Sequence, residues 1–241
     1  MLVLLAPTLG ALDKDALRQA ISGPDREVTD FMRDQARKPV EVLDFLGIEP
    51  GMQVLDLYAA GGYYSFILSR AVGPTGTVYA QNTERGMRFK EDRQEITQGE
   101  ALMMKIERGR LDNVEVVVAP LRATGIPQGS LDAALIMQTL HDYYNPSNER
   151  ALQMLLQVKA LLKPGGVIGI SDHVGLAGND NRDLHRMEIE DAVAVAERAG
   201  FLVERSELLR NPDDDHRRSI FEPRLGRNTD RFLLKLIKPG G

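Results

Sequence analysis

One stretch constrains this chain more than any other: Gln53-Val-Leu-Asp56-Leu-Tyr58-Ala-Ala60-Gly61-Gly62-Tyr63-Tyr64-Ser65-Phe66. The apolar run Val54, Leu55 and Leu57 meets a turn of small residues, and an amphipathic segment carrying Phe66, Ile67, Leu68 and Ala71 follows at once. A buried strand, a tight turn and a helix start, in that order, bring backbone N–H groups and a helix N-terminus up to a ligand. Asp56 stands near the strand's carboxyl end, where open α/β sheets bind. Tyr58, Ala59, Ala60, Gly61 and Gly62 are therefore the expected cradle.

The rest of the chain alternates in the same way. Gly47-Ile-Glu-Pro50-Gly51 is a turn into a strand at 53–58, and Gly73-Pro74 closes the helix that follows. Strands are expected at 77–81, 114–119, 131–137 and 167–171, with helical patterns at 91–108, 149–162 and 184–199 between or after them. Two last strands, 201–204 and 231–237, have no helix between them, which predicts an antiparallel pairing at one edge. The fold expected is α/β, a doubly wound, mostly parallel seven-stranded sheet. Ahead of it, Asp13 or Asp15 can cap a helix through Ile21, and Phe31 to Leu46 carries helical spacing around a break at Pro39. The division expected is an apolar arm and helices over 1–46, then the α/β domain over 47–241.

Composition excludes more than it proposes. A net charge of −5 with no Lys/Arg stripe argues against nucleic acid as a partner. The absence of cysteine removes disulfides, thiolate nucleophiles and Cys-zinc sites together. Met1 to Ala11 is apolar, lacks a preceding basic residue and is too short to span a bilayer. It reads as an arm docking on the core or on a second subunit of a homodimer, or as the remnant of an export signal. The location expected is cytoplasmic, or periplasmic if residues 1–11 belong to a signal.

Chemistry concentrates beyond three strands. Tyr58, Tyr63, Tyr64, Tyr143 and Tyr144 lie just past strands 1 and 4, where aromatic faces can line a pocket for a cationic ligand. His141-Asp142 follows strand 4 and Asp172-His173 follows strand 5. A histidine oriented by a carboxylate is a competent general base, so His141 is the expected base, with His173 second. His141 can pair with Asp172 rather than with its neighbour. A metal reading uses His141, His173 and His185 with Asp142 or Asp172, but no short ligand spacing supports it and no metal is expected. Arg210 and the three aspartates after it read as a solvated turn, or as a loop whose Arg210 grips an acidic substrate group. His216, in the same acidic loop, reads as exposed.

Taken together, Val54-Leu-Asp56 through Gly62, Gly76-Thr-Val-Tyr-Ala-Gln-Asn82, Leu131-Asp-Ala-Ala-Leu-Ile-Met137 and Leu161-Leu-Lys-Pro-Gly-Gly166 resemble the class I S-adenosylmethionine (SAM)-dependent methyltransferases. The resemblance covers nearly the whole chain from about residue 40. More narrowly, Ala60-Gly-Gly-Tyr-Tyr64, Leu140-His-Asp142, Ser171-Asp-His173, Leu184-His-Arg186, Leu209-Arg-Asn-Pro-Asp-Asp-Asp215 and Thr229-Asp-Arg-Phe232 resemble a bacterial group of predicted methyltransferases of unassigned substrate.

The resemblance implies SAM as cofactor, held by Asp56, Tyr58 to Gly62, Asn82, Pro120, Leu121 and Gln138. It also places Tyr63 and His141, with Asp142, Asp172 and His173, against a small-molecule acceptor methylated on oxygen or nitrogen. Tyr58 and Ala60 stand where the family keeps glycines, and Asn82 where it keeps the acid that bridges the ribose hydroxyls. Pro120 replaces an acid beside the adenine. An Asn–hydroxyl bond contributes about 0.5–1.5 kcal/mol against roughly 1.5–3 for a carboxylate, so SAM is expected to bind roughly tenfold more weakly than in a regular member. Gly62→Arg is expected to abolish nucleoside binding and leave the fold. Two rivals remain: a protein of this fold that binds a ligand or partner without catalysis, and a nicotinamide-dependent oxidoreductase. The second is disfavoured because the G-x-G-x-x-G spacing is missing.

Overall fold

A computed structural model of the chain describes residues 10–91, 95–222 and 228–240. The apolar arm expected at 1–11 falls almost wholly outside them.

The N-terminal helices form where capping and proline chemistry allow. Helix α1 (Lys14–Ala20) is capped by Asp13, whose carboxylate accepts from the N–H groups of Asp15 and Ala16, which decides between the two candidate caps. Helix α2 (Val28–Arg37) stops at Lys38, which turns left-handed at φ 42°, and α3 (Pro39–Leu46) begins on proline. Proline cannot continue a helix but suits its first position, so one break serves both ends.

The α/β part then runs β1 (Gln53–Leu57), α4 (Tyr63–Val72), β2 (Thr77–Asn82), α5 (Glu84–Met87), α6 (Gln98–Gly109), β3 (Val114–Val118), β4 (Leu131–Met137), α7 (Leu140–Tyr144), α8 (Asn148–Leu161), β5 (Leu162–His173), α9 (Ile189–Arg198), β6 (Leu202–Ser206) and β7 (Arg231–Ile237). The sheet order is β3-β2-β1-β4-β5-β7-β6. Strands β3, β2, β1, β4 and β5 pair in parallel, and β7 runs antiparallel to both its neighbours. This is the seven-stranded, mostly parallel sheet that the sequence predicts. The chain order reverses between β1 and β4, so a crevice opens beyond their carboxyl ends.

Period-2 alternation divides the core between the two faces of the sheet. Leu55, Leu57 and Ile136 pack with α8 and α9, while Val54, Ala133 and Leu135 pack with α1, α3 and α4. Each such buried leucine or valine stabilises by about 1.5–3 kcal/mol, which fixes the register and hence the position of the crevice. Gly169 lets α3 lie directly on β5, since a Cβ there would meet Leu46 Cδ1 at 2.3 Å. No helix among the described residues is long and apolar enough to cross a membrane.

One element departs from expectation in a way that matters below. The helical pattern from residue 184 becomes helix only at Ile189. Met187 instead bridges Val174, donating its N–H to the His173 carbonyl. Arg186 is fully buried on Asp214 (2.8 and 3.1 Å) and on the carbonyls of Val174 and Arg218. Pairing a buried guanidinium outweighs helix propensity at five residues.

Candidate active site

The turn after β1 has a left-handed backbone although two of its left-handed positions are not glycine. Tyr58, Ala60 and Gly62 sit at φ 54°, 50° and 81°. A left-handed non-glycine residue costs roughly 1–2 kcal/mol, and hydrogen bonds from β2 offset it. The N–H of Tyr58 donates to Gln81 Oε1 (3.1 Å) and that of Ala59 to the Gln81 carbonyl (2.9 Å). Asn82 accepts from the N–H of Ala60 (3.0 Å) and donates to its carbonyl (3.2 Å). Both ends of the Asn82 amide therefore brace the turn. Gly62 faces α6, where a Cβ would meet Leu102 Cδ1 at 2.6 Å. Gly62→Arg thus disturbs helix packing as well as the turn, and is not the fold-neutral control expected from sequence.

Asp56 is buried and accepts from Ser65 Oγ (2.6 Å). Burial pushes its carboxyl up to about 6, against the hydrogen bonds of Ser65. With Tyr58 to Gly61, Tyr63 and Tyr64 it lines a cavity of about 210 Å³, closed by Met137, Gln138 and Thr139 and roofed by Arg33 and Arg37 of α2. Glu91 also reaches this cavity. Its Oε1 accepts from Arg33 (3.1 Å), while Oε2 is buried with no hydrogen-bond partner among the described residues. A Cβ on Gly61 would stand 2.2 Å from that oxygen, so glycine is what lets the carboxylate approach the turn.

A second cavity of about 280 Å³ adjoins the first and shares Arg33, Arg37 and Gln138 with it. His141, Asp142, His173, His185, Phe221 and Arg231 make up most of the rest of its wall. His141 is buried and held at both ends by Asp172, through its N–H (2.9 Å) and its Nδ1 (2.7 Å). The cross-strand pairing of His141 with Asp172 is therefore present. Burial works against the charge of His141, but Asp172 and Asp142 outweigh it and push its pKa up to about 10. Burial and the nearby cation Arg231 hold His173 well below its ordinary value, and its Nδ1 bonds Thr229 Oγ1 (2.6 Å). Arg231 itself is pushed down to about 10 by burial and by Arg37.

The remaining sequence candidates divide. Tyr58 reaches across the switch point to the hydroxyl of Tyr143, so the two loops do face each other. Tyr63 lies under Arg37 (4.4 Å to the ring centre) and donates to Asp34 (2.6 Å). Tyr144 turns away: burial and a hydrogen bond to Asp191 push its hydroxyl up to about 12. Pro120 borders a separate groove with Phe89 and Arg88, and Leu121 is buried in the core. Arg210 pairs with Asp230 (2.9 and 3.0 Å), as does His216 (2.9 Å), so this loop is fastened beside the start of β7 and Arg210 lines neither cavity.

Sequence reasoning missed Arg33, Arg37, Glu91 and Gln98. Nothing local in the sequence singles them out; in the structure α2 turns its charges inward, with Asp30 on Lys105 and Asp34 on Arg26.

No protein-family model matches the chain. A demethylmenaquinone methyltransferase of Lactococcus lactis is 29% identical over 124 residues, which are 50% of this chain and 42% of that one. The chain thus aligns with less than half the length of that curated relative. A SAM-dependent methyltransferase from Aquifex aeolicus superposes with a TM-score of 0.62 at 20% identity, over 93% of this chain and 98% of the other. An O-methyltransferase family protein from Burkholderia thailandensis gives 0.55 at 18%, over 93% and 63%. The [4+2]-cyclase SpnF gives 0.61 at 17%, over 98% and 88%. The chain has the fold of the class I SAM-dependent methyltransferases.

Proposed function

We propose that the protein is a SAM-dependent methyltransferase that moves a methyl group to oxygen or nitrogen of a small molecule. The observation that carries this is the pair of adjoining cavities, one against the left-handed turn after β1 and one against His141, joined at Arg37 and Gln138. A nucleoside in the first and an acceptor in the second would meet across that junction.

The first cavity fits the cofactor by its chemistry. Asp56 and Glu91 supply carboxylates toward a ligand that carries two positive centres, and Glu91 Oε2 lacks a protein partner among the described residues. That oxygen can take the hydroxyl contact that Asn82, occupied by Ala60, does not make. Tyr58, Tyr63 and Tyr64 add aromatic surface suited to a sulfonium.

When bound, SAM supplies an activated methyl group, so the chain has to position more than to activate. In the second cavity, Asp172 fixes the His141 ring so that Nε2 is the atom that exchanges a proton with the acceptor. Arg37, stacked on Tyr63 and bonded to Gln138 (3.2 Å), orients the acceptor at the junction.

Calorimetric titration with SAM, S-adenosylhomocysteine and NADH tests this. The first two should bind and NADH should not; preference for NADH, or no nucleoside binding at all, would overturn it. Binding of both with no turnover on a broad acceptor panel would favour the non-catalytic rival.

A further inference from the structure

Three side chains from different parts of the chain meet at the mouth of the second cavity. His141 Nε2, Asp142 Oδ1 and His185 Nδ1 form a triangle with sides of 3.3, 3.4 and 3.6 Å. These sides are longer than the 2.7–3.2 Å or so of a well-made N–H···O hydrogen bond. Two donors each about 2.1 Å from one ion at a tetrahedral angle stand about 3.4 Å apart. The triangle therefore has the dimensions of one face of a coordination tetrahedron.

We propose that His141 Nε2, Asp142 and His185 Nδ1 bind a divalent first-row transition metal ion such as zinc, with one coordination position open to the cavity. Only the identity of what fills that open position, an oxygen of the methyl acceptor, rests on the methyltransferase reading. Two imidazoles and one carboxylate select such an ion over magnesium or calcium, which prefer all-oxygen sites.

The surroundings supply what a metal site needs beyond its ligands. Asp172 accepts at His141 Nδ1 (2.7 Å), so Nε2 is the nitrogen that faces the cluster, and two backbone N–H groups, of His141 and His173, hold Asp172 in turn (2.9 and 2.8 Å). Asp142 and Asp172 set two carboxylates beside the imidazoles of His141 and His185, and the cations Arg33, Arg37 and Arg231 line the same cavity. His185 sits at φ 55°, a left-handed conformation uncommon for a side chain of its size, with its ring edge-on to Phe221 (4.8 Å between centres). The buried Arg186 beside it holds that conformation, which places backbone strain at the cluster. A metal at this point would take the place of the proton at Nε2, and its open position would be the partner of the acceptor atom.

The test titrates the chelator-treated full chain with Co2+, read by its visible d–d absorption, and with Zn2+ by competition. One saturable ion per chain is expected, with tetrahedral cobalt bands. His185→Ala and Asp142→Asn, both partly exposed and so unlike His141 not essential to the core, should each weaken binding at least about tenfold. No saturable cobalt binding, or unchanged binding in both variants, would overturn the site. A SAM titration on the same samples separates the two readings. SAM binding without metal binding sinks the metal site alone, whereas metal binding without SAM binding upholds it and removes the methyltransferase.

Discussion

The two halves of the candidate site adjoin, yet they are made of different material. The half proposed for the cofactor is built on backbone, a left-handed turn held by Gln81 and Asn82 against the start of α4, with the side chains of Asp56, Glu91 and the tyrosines set around it. The half proposed for the acceptor is chiefly side chain: His141, Asp142, His173 and His185, with Asp172 behind His141 and arginines in the same wall. A backbone turn admits residues other than glycine wherever the required φ can be reached, as Tyr58 and Ala60 show. A side-chain cluster has no such tolerance, because each member supplies a distinct donor, acceptor or charge.

That contrast can be broken by four experiments of decreasing size. His141→Gln should lower turnover by about 10²–10⁴ and leave SAM affinity unchanged, measured by initial rates and calorimetry. A matching loss of SAM affinity would mean that the halves are not separable.

Asp56 offers the next effect. Its carboxyl holds a proton more tightly in the folded chain (about 6) than unfolded (about 3.9), so its contribution is most favourable below about pH 4 and is lost as pH rises to about 6. The difference is of order 3 kcal/mol. Asp56→Asn should flatten that part of the stability profile, followed by denaturant unfolding, and raise stability at neutral pH. Saturating SAM, a cation, should restore much of the difference in the wild type and little in the variant.

Glu91→Gln should weaken SAM by roughly tenfold, the gap between a charged and a neutral hydrogen bond. An unchanged affinity would return the ribose to some other partner. The smallest effect is Ala60→Gly. It removes left-handed strain and adds backbone freedom, so stability should stay within about 1 kcal/mol and SAM affinity should hold. A large change in either would show that the turn is not read as backbone alone.

The same contrast explains what was legible in the sequence. The sheet, its order reversal and the turn were readable because apolar alternation and small-residue punctuation are local signals. The pairing of His141 with Asp172 could be foreseen because parallel neighbours bring their strand ends together. Two other features could not. Helix α2 turns charged residues inward over the cavity, and nothing local in Arg33 or Arg37 distinguishes a roof from a solvated face. His185 lay within a helical pattern, and its backbone turns left-handed beside an Arg186 held by the distant Asp214, Val174 and Arg218. Glu91 was hidden for a similar reason, since its neighbour in space, Gly61, is far from it in the chain.

The buried Arg186–Asp214 pair fastens more than one loop. Asp214 also accepts from the N–H of Asp230 at the head of β7, so one carboxylate ties the His185 segment, the 209–222 loop and an interior strand into a single knot. Warming the protein should therefore not loosen the catalytic rim ahead of the body. Heat inactivation and unravelling of β7 are expected to be one event, with loss of His185's placement as its first sign.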